Sequence, residues 1–92
     1  MKLIYRQHAI RRMFERCITT ADVNAALLTG KVIEDYPTDK PYPSYLWLGH
    51  ANSKTLHIVY ADNHEENERI IITVYEPDPN LWSADLASRK KQ

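Results

Sequence analysis

Hydrophobic residues recur along this chain with two different periods, and the period changes at Gly30. Residues 6–17 show the spacing of a helix. The apolar arc that we expect to face the core consists of Ile10, Met13, Phe14 and Cys17. The string Thr19-Thr20-Ala21-Asp22 resembles a capping box, which predicts a second helix over about 20–29 that ends at Gly30.

After Gly30 the apolar residues alternate with polar ones, which is typical of strands. The predicted strands are Lys31–Tyr36, Ser44–Ala51, Thr55–Asp62 and Glu68–Tyr75. Short connections between neighbouring strands favour antiparallel pairing. Residues 80–90 are predicted to form a short last helix anchored by Trp82. The expected fold is therefore a single α+β domain over 1–92, with two N-terminal helices packed on a four-stranded antiparallel sheet and a short C-terminal helix.

The alternation also predicts which side chains share a face of the sheet. If Tyr60 pairs with Ile70, one apolar face lies under the helices. That face would consist of Leu56, Ile58, Ile70, Ile72 and Val74. His57, Thr73 and Tyr75 would then meet on the opposite face.

Composition narrows the class of protein. Hydrophobic residues make up 43 % of the chain, which is too many for a disordered segment and ordinary for a globular domain. The single cysteine, Cys17, falls on the apolar arc and cannot form an internal disulfide, which favours the cytoplasm. We expect no signal peptide and no membrane span, because every apolar run is too short.

Charge is balanced in number and uneven in position. The chain has 12 basic and 12 acidic residues, and a net charge of zero is a weak indication against nucleic-acid binding. Basic residues nevertheless concentrate at both ends. They are Lys2, Arg6, Arg11, Arg12 and Arg16 near the start, and Arg89, Lys90 and Lys91 in the tail. This distribution predicts a basic surface, with a solvated charged surface as the alternative.

The most informative local pattern is the spacing of His8, Arg12 and Arg16, which lie four residues apart. On a helix this spacing places one imidazole and two guanidinium groups on a single ridge. An imidazole exchanges protons near neutral pH, and a guanidinium binds a phosphate through two parallel hydrogen bonds. The pattern indicates phosphodiester chemistry, whereas the structural alternative is a surface histidine at the start of a helix.

A second imidazole, His57, lies in a strand beside Thr73 and Tyr75. Cleavage of RNA by its own 2′-hydroxyl needs a base, an acid and positive charge on the phosphate. The predicted catalytic residues are therefore His8, Arg12, His57 and Tyr75, and the predicted substrate-binding residues are Arg11, Arg16, Thr73 and Trp47. No cofactor is expected. The structural alternative for His57 is a half-buried ring that hydrogen-bonds a neighbouring strand.

Several motifs resemble a small prokaryotic family that is described as a domain of unknown function. They are His8-Ala9-x-x-Arg12-Met13-x-x-Arg16, Asp22-Val23, Val32-Ile33-Glu34-Asp35-Tyr36, Pro41-x-Pro43-Ser44, Leu56-His57-Ile58-Val59 and Ile72-Thr73-Val74-Tyr75-x-Pro77-Asp78-x-x-x-Trp82. That family is distantly similar to RelE- and BrnT-type toxins, which are metal-independent ribonucleases. The resemblance implies a RelE-like fold, RNA as substrate, including ribosome-bound mRNA, and an antitoxin-like protein as partner.

Two other functions are compatible with the same sequence features. His8 and His57 could together ligate haem iron, within one chain or across a homodimer, and zinc at a dimer interface is a weaker version. Alternatively, the strand at 31–36 or the loop at 37–47 could contact another protein without any chemistry. A wide separation of the two imidazoles would weaken both paired catalysis and shared ligation.

Overall fold

Two helices come early in this chain, and four of the five strands follow them in the sequence. The helices pack on one face of the sheet that the strands form. The computed structural model describes residues 1–90. The elements are β1 (Lys2–Tyr5), α1 (Gln7–Glu15), α2 (Thr20–Leu28), β2 (Gly30–Tyr36), β3 (Ser44–Ala51), β4 (Lys54–Asn63) and β5 (Glu68–Tyr75). The strands lie in the order β1-β5-β4-β3-β2. No helix within this range is long and apolar enough to cross a membrane.

The first strand, β1, is an element that the sequence pattern did not reveal. It pairs parallel to β5, from Lys2 opposite Glu68 to Tyr5 opposite Ile71, while the other neighbouring strands pair antiparallel. The prediction of a four-stranded antiparallel sheet is therefore wrong, because the sheet is five-stranded and mixed. β1 has four residues, too few to show an alternation, and its partner lies at the other end of the sheet-forming sequence.

The predicted helix over 80–90 is also wrong. Residues 76–90, here called the C-terminal segment, form turns closed by an isolated bridge between Trp82 and Arg89. The Asp85 carboxylate accepts a hydrogen bond from the backbone N–H of Ala87 at 3.0 Å. Such side-chain bonds to nearby backbone compete with helix formation. Lys91, counted above in the basic tail, lies outside the described residues.

The register between β4 and β5 differs from the expected one, and it changes at a bulge between Val59 and Tyr60. Tyr60 pairs with Ile71 instead of Ile70, an offset of one residue, whereas His57 pairs with Tyr75 instead of Thr73, an offset of two. The residues of β4 and β5 in the core cluster under the helices are Leu56, Ile58, Tyr60, Ile71 and Val74. Ile70 and Ile72, which were expected there, are only half-buried.

The opposite face of the sheet carries the polar pair predicted from strand parity. His57 lies directly opposite Tyr75 in the β4–β5 register. Trp82 of the C-terminal segment packs on this face and buries His57 completely. The sheet is thus covered on both sides, by helices on one and by an irregular segment on the other.

Helix α1 packs on β5 through an arc that shares only Met13 with the predicted one. Its buried residues are Ala9 and Met13, one turn apart, whereas Phe14 is 86 % exposed and Ile10 is exposed as well. Ala9, which was not part of the predicted arc, has no exposed surface and belongs to the core cluster under the helices. Cys17 follows the helix with a positive φ of 56° and is exposed, so the expectation of a core thiol is wrong.

Helix α2 begins with the predicted capping box, and near its other end its backbone closely approaches a glycine of β3. The Thr19 hydroxyl accepts from the N–H of Asp22 at 3.0 Å, and the Asp22 carboxylate accepts from the N–H of Thr19 at 2.9 Å. At the other end, a Cβ on Gly49 would overlap the carbonyl oxygen of Ala26. Trp47 donates its indole N–H to that same carbonyl at 2.9 Å, so α2 lies directly on β3.

Candidate functional site

A pocket of about 690 Å³ opens where α1, the end of β5 and the C-terminal segment meet. Arg12 and Arg16 reach it from α1, Tyr75 from the last position of β5, and Arg89 from the C-terminal segment. The other lining residues are Glu76, Pro77, Asp78, Pro79, Leu81 and Trp82. Three guanidinium groups and one phenol therefore line a single concave surface.

Arg12 of α1 and Arg16, the residue that caps the C-terminal end of this helix, are four residues apart and line the same pocket, as their spacing predicted. Arg12 is half-buried, and its Nε is buried without a hydrogen-bond partner among the described residues. A buried donor without a partner costs roughly 1–3 kcal/mol.

Arg89 is held in the pocket by two contacts from different parts of the chain. Its guanidinium carbon lies 4.7 Å from the centre of the Trp82 ring, a cation–π geometry. Its Nε lies 3.6 Å from a carboxylate oxygen of Glu34 on β2. The same carboxylate accepts a 2.5 Å hydrogen bond from Tyr36, and burial together with this carboxylate raises the pKa of Tyr36 to about 12. β2 thus anchors the third guanidinium.

The Tyr75 hydroxyl connects the pocket to the buried His57 ring. It lies 3.2 Å from Nδ1 of His57, and Nε2 of the same ring lies 2.7 Å from the carbonyl oxygen of Leu86. A carbonyl oxygen only accepts, so Nε2 carries a hydrogen in this arrangement. Both nitrogens of His57 are therefore engaged, and its hydrogen bond to a residue of the pocket lining is the one with Tyr75.

Burial dominates the electrostatics of this pair. It lowers the pKa of His57, an effect that the Leu86 carbonyl and the Glu34 carboxylate oppose. It raises the pKa of Tyr75, while Arg89 and Arg12 act in the other direction. At neutral pH the pocket therefore combines a neutral phenol, a neutral imidazole behind it and permanent positive charge around them.

Positive charge exceeds negative charge in the lining of the pocket. Three guanidinium groups outnumber the two carboxylates, Glu76 and Asp78. One oxygen of Asp78 is already engaged, since it accepts from the N–H of Asn80 at 2.8 Å. Guanidinium groups bind phosphate with charge-assisted, often bidentate hydrogen bonds, and the phenol adds a group that can exchange a proton.

Of the predicted site residues, Arg12, Arg16 and Tyr75 come together in the pocket. His57 stands directly behind Tyr75 and has no exposed surface. Arg89 was noted only as part of a basic tail and not as a site residue. Its place depends on contacts with Trp82 and Glu34, for which the sequence contains no local signal.

The remaining predicted site residues lie outside the lining. His8 is exposed on α1, one turn before Arg12 on the same ridge, and Arg11 is exposed on the same helix. Thr73 is half-buried on β5, with a hydroxyl that has no hydrogen-bond partner among the described residues. Trp47 packs with the core under the helices, on the face of the sheet opposite His57.

Within residues 1–90, no group of three or more His, Cys, Asp or Glu side chains is placed to hold a metal ion. Ligation of haem iron by His57 would require breaking its bond to Tyr75 or to Leu86. The contacts of this ring therefore give the haem alternative no support.

The structure is a small α+β domain with a five-stranded mixed sheet, and three arginines line a pocket at one end of that sheet. The family described as Domain of unknown function (DUF4258) matches residues 5–76, which include both helices and all of β2 to β5. The chain belongs to this family. Comparison with curated proteins and comparison with solved structures each give no match.

Proposed function

We propose that this chain is a toxin-type ribonuclease that cleaves RNA without a metal ion and that pairs with an antitoxin-like protein. One observation carries the proposal: Arg12, Arg16 and Arg89 converge with the Tyr75 hydroxyl in one pocket. Three guanidinium groups supply the positive charge that a phosphodiester needs as its oxygens gain charge. Tyr75 supplies a group that can exchange a proton in the same place.

The reaction that suits this site is attack of an RNA 2′-hydroxyl on the adjacent phosphorus. The arginines would bind the non-bridging oxygens, and Tyr75 would contact the reacting hydroxyl. His8, exposed one turn before Arg12, would give a proton to the leaving 5′-oxygen. In this proposal His8 is the acid. His57 takes part in the base role through Tyr75, whose hydroxyl it contacts.

The biological setting of the proposal comes from the resemblance of the chain's motifs to RelE- and BrnT-type toxins. On that basis the substrate is mRNA, free or bound to the ribosome, and the partner is an antitoxin-like protein encoded nearby. The single cysteine suits a reducing compartment such as the cytoplasm, where such a pair would act.

The direct test is cleavage of a labelled RNA oligonucleotide by the purified protein in the presence of a chelator, with a parallel assay on ribosomes in magnesium-containing buffer. We expect cleavage that the chelator does not reduce. Arg12→Ala should lower the rate by about 10²-fold or more, because it removes a charged donor from the developing oxyanion. Arg11→Ala is the matched control, since it removes the same charge from the same helix outside the pocket lining.

A cellular test examines the toxin aspect separately. Expression of the wild-type chain should arrest growth, and Arg12→Ala or co-expression of the antitoxin-like partner should relieve the arrest. Intact RNA under all conditions in vitro, together with normal growth on expression, would exclude the ribonuclease proposal. Equal cleavage by the wild type and Arg12→Ala would remove the pocket from the mechanism.

A further inference from the structure

The contacts of His57 determine the direction of the hydrogen bond to Tyr75. Nε2 donates to the Leu86 carbonyl at 2.7 Å, which leaves Nδ1 of the neutral ring without a hydrogen. Nδ1 can then only accept. The Tyr75 hydroxyl, 3.2 Å away, therefore donates its single proton toward the protein interior.

The direction of this hydrogen bond determines whether the Tyr75 hydroxyl presents a proton or lone pairs to the pocket. A hydroxyl has one proton and two acceptor lone pairs, so a Tyr75 that donates to His57 presents lone pairs to the pocket. We infer that His57 is a positioning residue that makes Tyr75 a proton acceptor, and not a phosphate donor, for the 2′-hydroxyl of RNA. The inference deepens the proposed function and rests on it.

The resulting proton transfer is balanced at every atom. As the 2′-oxygen forms its bond to phosphorus, its proton moves to the Tyr75 oxygen and the Tyr75 proton moves to Nδ1 of His57. The bond from phosphorus to the 5′-oxygen breaks, and that oxygen keeps the electron pair and takes a proton from His8, which solvent then protonates again. The products are a 2′,3′-cyclic phosphate and a 5′-hydroxyl, and the proton on His57 returns to solvent through Tyr75.

The protonated ring would be well accommodated in its site. Nδ1–H would donate to the Tyr75 oxygen while Nε2–H keeps the Leu86 carbonyl, so both donors remain satisfied. The charged groups that act on His57 are Glu34 from β2, which favours the imidazolium, and Arg89 from the C-terminal segment, which opposes it. Burial lowers the pKa of His57, so the ring is neutral and ready to accept at neutral pH.

The first measurement is independent of RNA cleavage. Nitrogen-15 NMR of the imidazole rings in the wild-type protein reports which nitrogen of His57 carries the proton, with His57→Asn used only for assignment. We expect the Nε2–H form at neutral pH and a shift of the His57 titration in Tyr75→Phe, which removes the hydroxyl alone. An Nδ1–H form would overturn the inference, because Nδ1 could then not accept from Tyr75.

The second measurement is a double-variant cycle on RNA cleavage. His57→Asn and Tyr75→Phe should each reduce kcat/KM by about 10²-fold, and the double variant should fall no further than Tyr75→Phe. The acidic limb of the pH–rate profile should disappear in His57→Asn. Binding of a 2′-deoxy oligonucleotide, measured separately, should persist in both variants because the arginines are unchanged.

The outcomes separate the inference from the proposed function. Cleavage by the wild type with additive losses in the double variant, or with an unaltered acidic limb in His57→Asn, overturns the positioning role and leaves the ribonuclease intact. A wild type that does not cleave RNA ends both proposals, even if the NMR spectrum shows the expected form of His57.

Discussion

The indole of Trp82 meets the imidazole of His57 edge to face, with ring centroids 4.4 Å apart and planes at 90°. This contact joins the C-terminal segment to the centre of the sheet. It leaves His57 fully buried, and the Trp82–Arg89 bridge carries Arg89 to the pocket. One aromatic contact thus supports both the stability of the second face and the shape of the site.

Removing this contact should destabilise the protein strongly. Trp82→Ala creates a cavity over the sheet and should lower the free energy of unfolding by about 3–5 kcal/mol. Urea denaturation followed by far-ultraviolet circular dichroism measures the effect. The control is Leu28→Ala, whose side chain is 86 % exposed and whose loss should change stability by no more than about 0.5 kcal/mol. Equal effects of the two substitutions would mean that the C-terminal segment does not pack as described.

Burial of His57 should make stability depend on pH. An unfolded histidine has a pKa of about 6.5, and burial lowers the pKa of His57 in the folded protein. Below about pH 6.5 the unfolded chain binds this proton more readily, so the free energy of unfolding should fall as the pH decreases toward the folded-state pKa. Urea midpoints between pH 5 and 8 measure this slope.

The variant His57→Asn should lose that part of the pH dependence, because Asn does not titrate. His64→Gln serves as the control, since His64 is exposed in the turn between β4 and β5. If the slope were unchanged in His57→Asn, the titrating group would have to be another residue.

The pocket arginines should determine the salt dependence of RNA binding. Each phosphate contact to single-stranded nucleic acid contributes about 0.7 to the slope of log K against log salt concentration. Arg12→Ala and Arg16→Ala should each weaken binding and reduce the slope by about that amount, as measured by fluorescence anisotropy at several salt concentrations. Arg11→Ala should change the slope less, although its charge change is the same.

The capping box of α2 should stabilise the fold in a pH-dependent way. Thr19→Ala removes one of its two hydrogen bonds and should lower the free energy of unfolding by about 1 kcal/mol. The hydrogen bond from the Thr19 N–H lowers the pKa of Asp22, so its contribution is present above the unfolded pKa of about 3.9 and is lost below it. The free energy of unfolding measured as a function of pH in the acid range tests this. It should decline less steeply with decreasing pH in Asp22→Asn than in the wild type. The control Thr38→Ala, at an exposed position, should behave as the wild type.

Local patterns in the sequence predicted the local elements. The alternation of apolar residues located β2 to β5 within about two residues of their observed ends, because side-chain direction in a strand depends only on position parity. The capping box located the start of α2, because its hydrogen bonds join residues three positions apart. The His8–Arg12–Arg16 ridge was predicted for the same reason, and it brings two of the three pocket arginines together.

Elements that depend on distant partners were missed. β1 is too short to show a period, and it exists because β5 offers an edge to pair with. Which arc of α1 is buried depends on how the helix packs on the sheet, where Ala9 and Met13 face the core. A helical wheel does not contain that information. The bulge after Val59 shifted the register by one residue, a change that local alternation does not record.

The sequence by itself determined helices α1 and α2 and four of the five strands. It also placed His57 and Tyr75 on one side of the sheet and identified two of the pocket arginines. Tertiary structure decided that residues 76–90 cover the second face, that His57 is buried behind Tyr75, and that Arg89 joins the pocket through Trp82 and Glu34. The physical reason is the range of the interactions. Periodicity and capping act over one helical turn or one strand, whereas the pocket depends on packing between segments that are far apart in the chain.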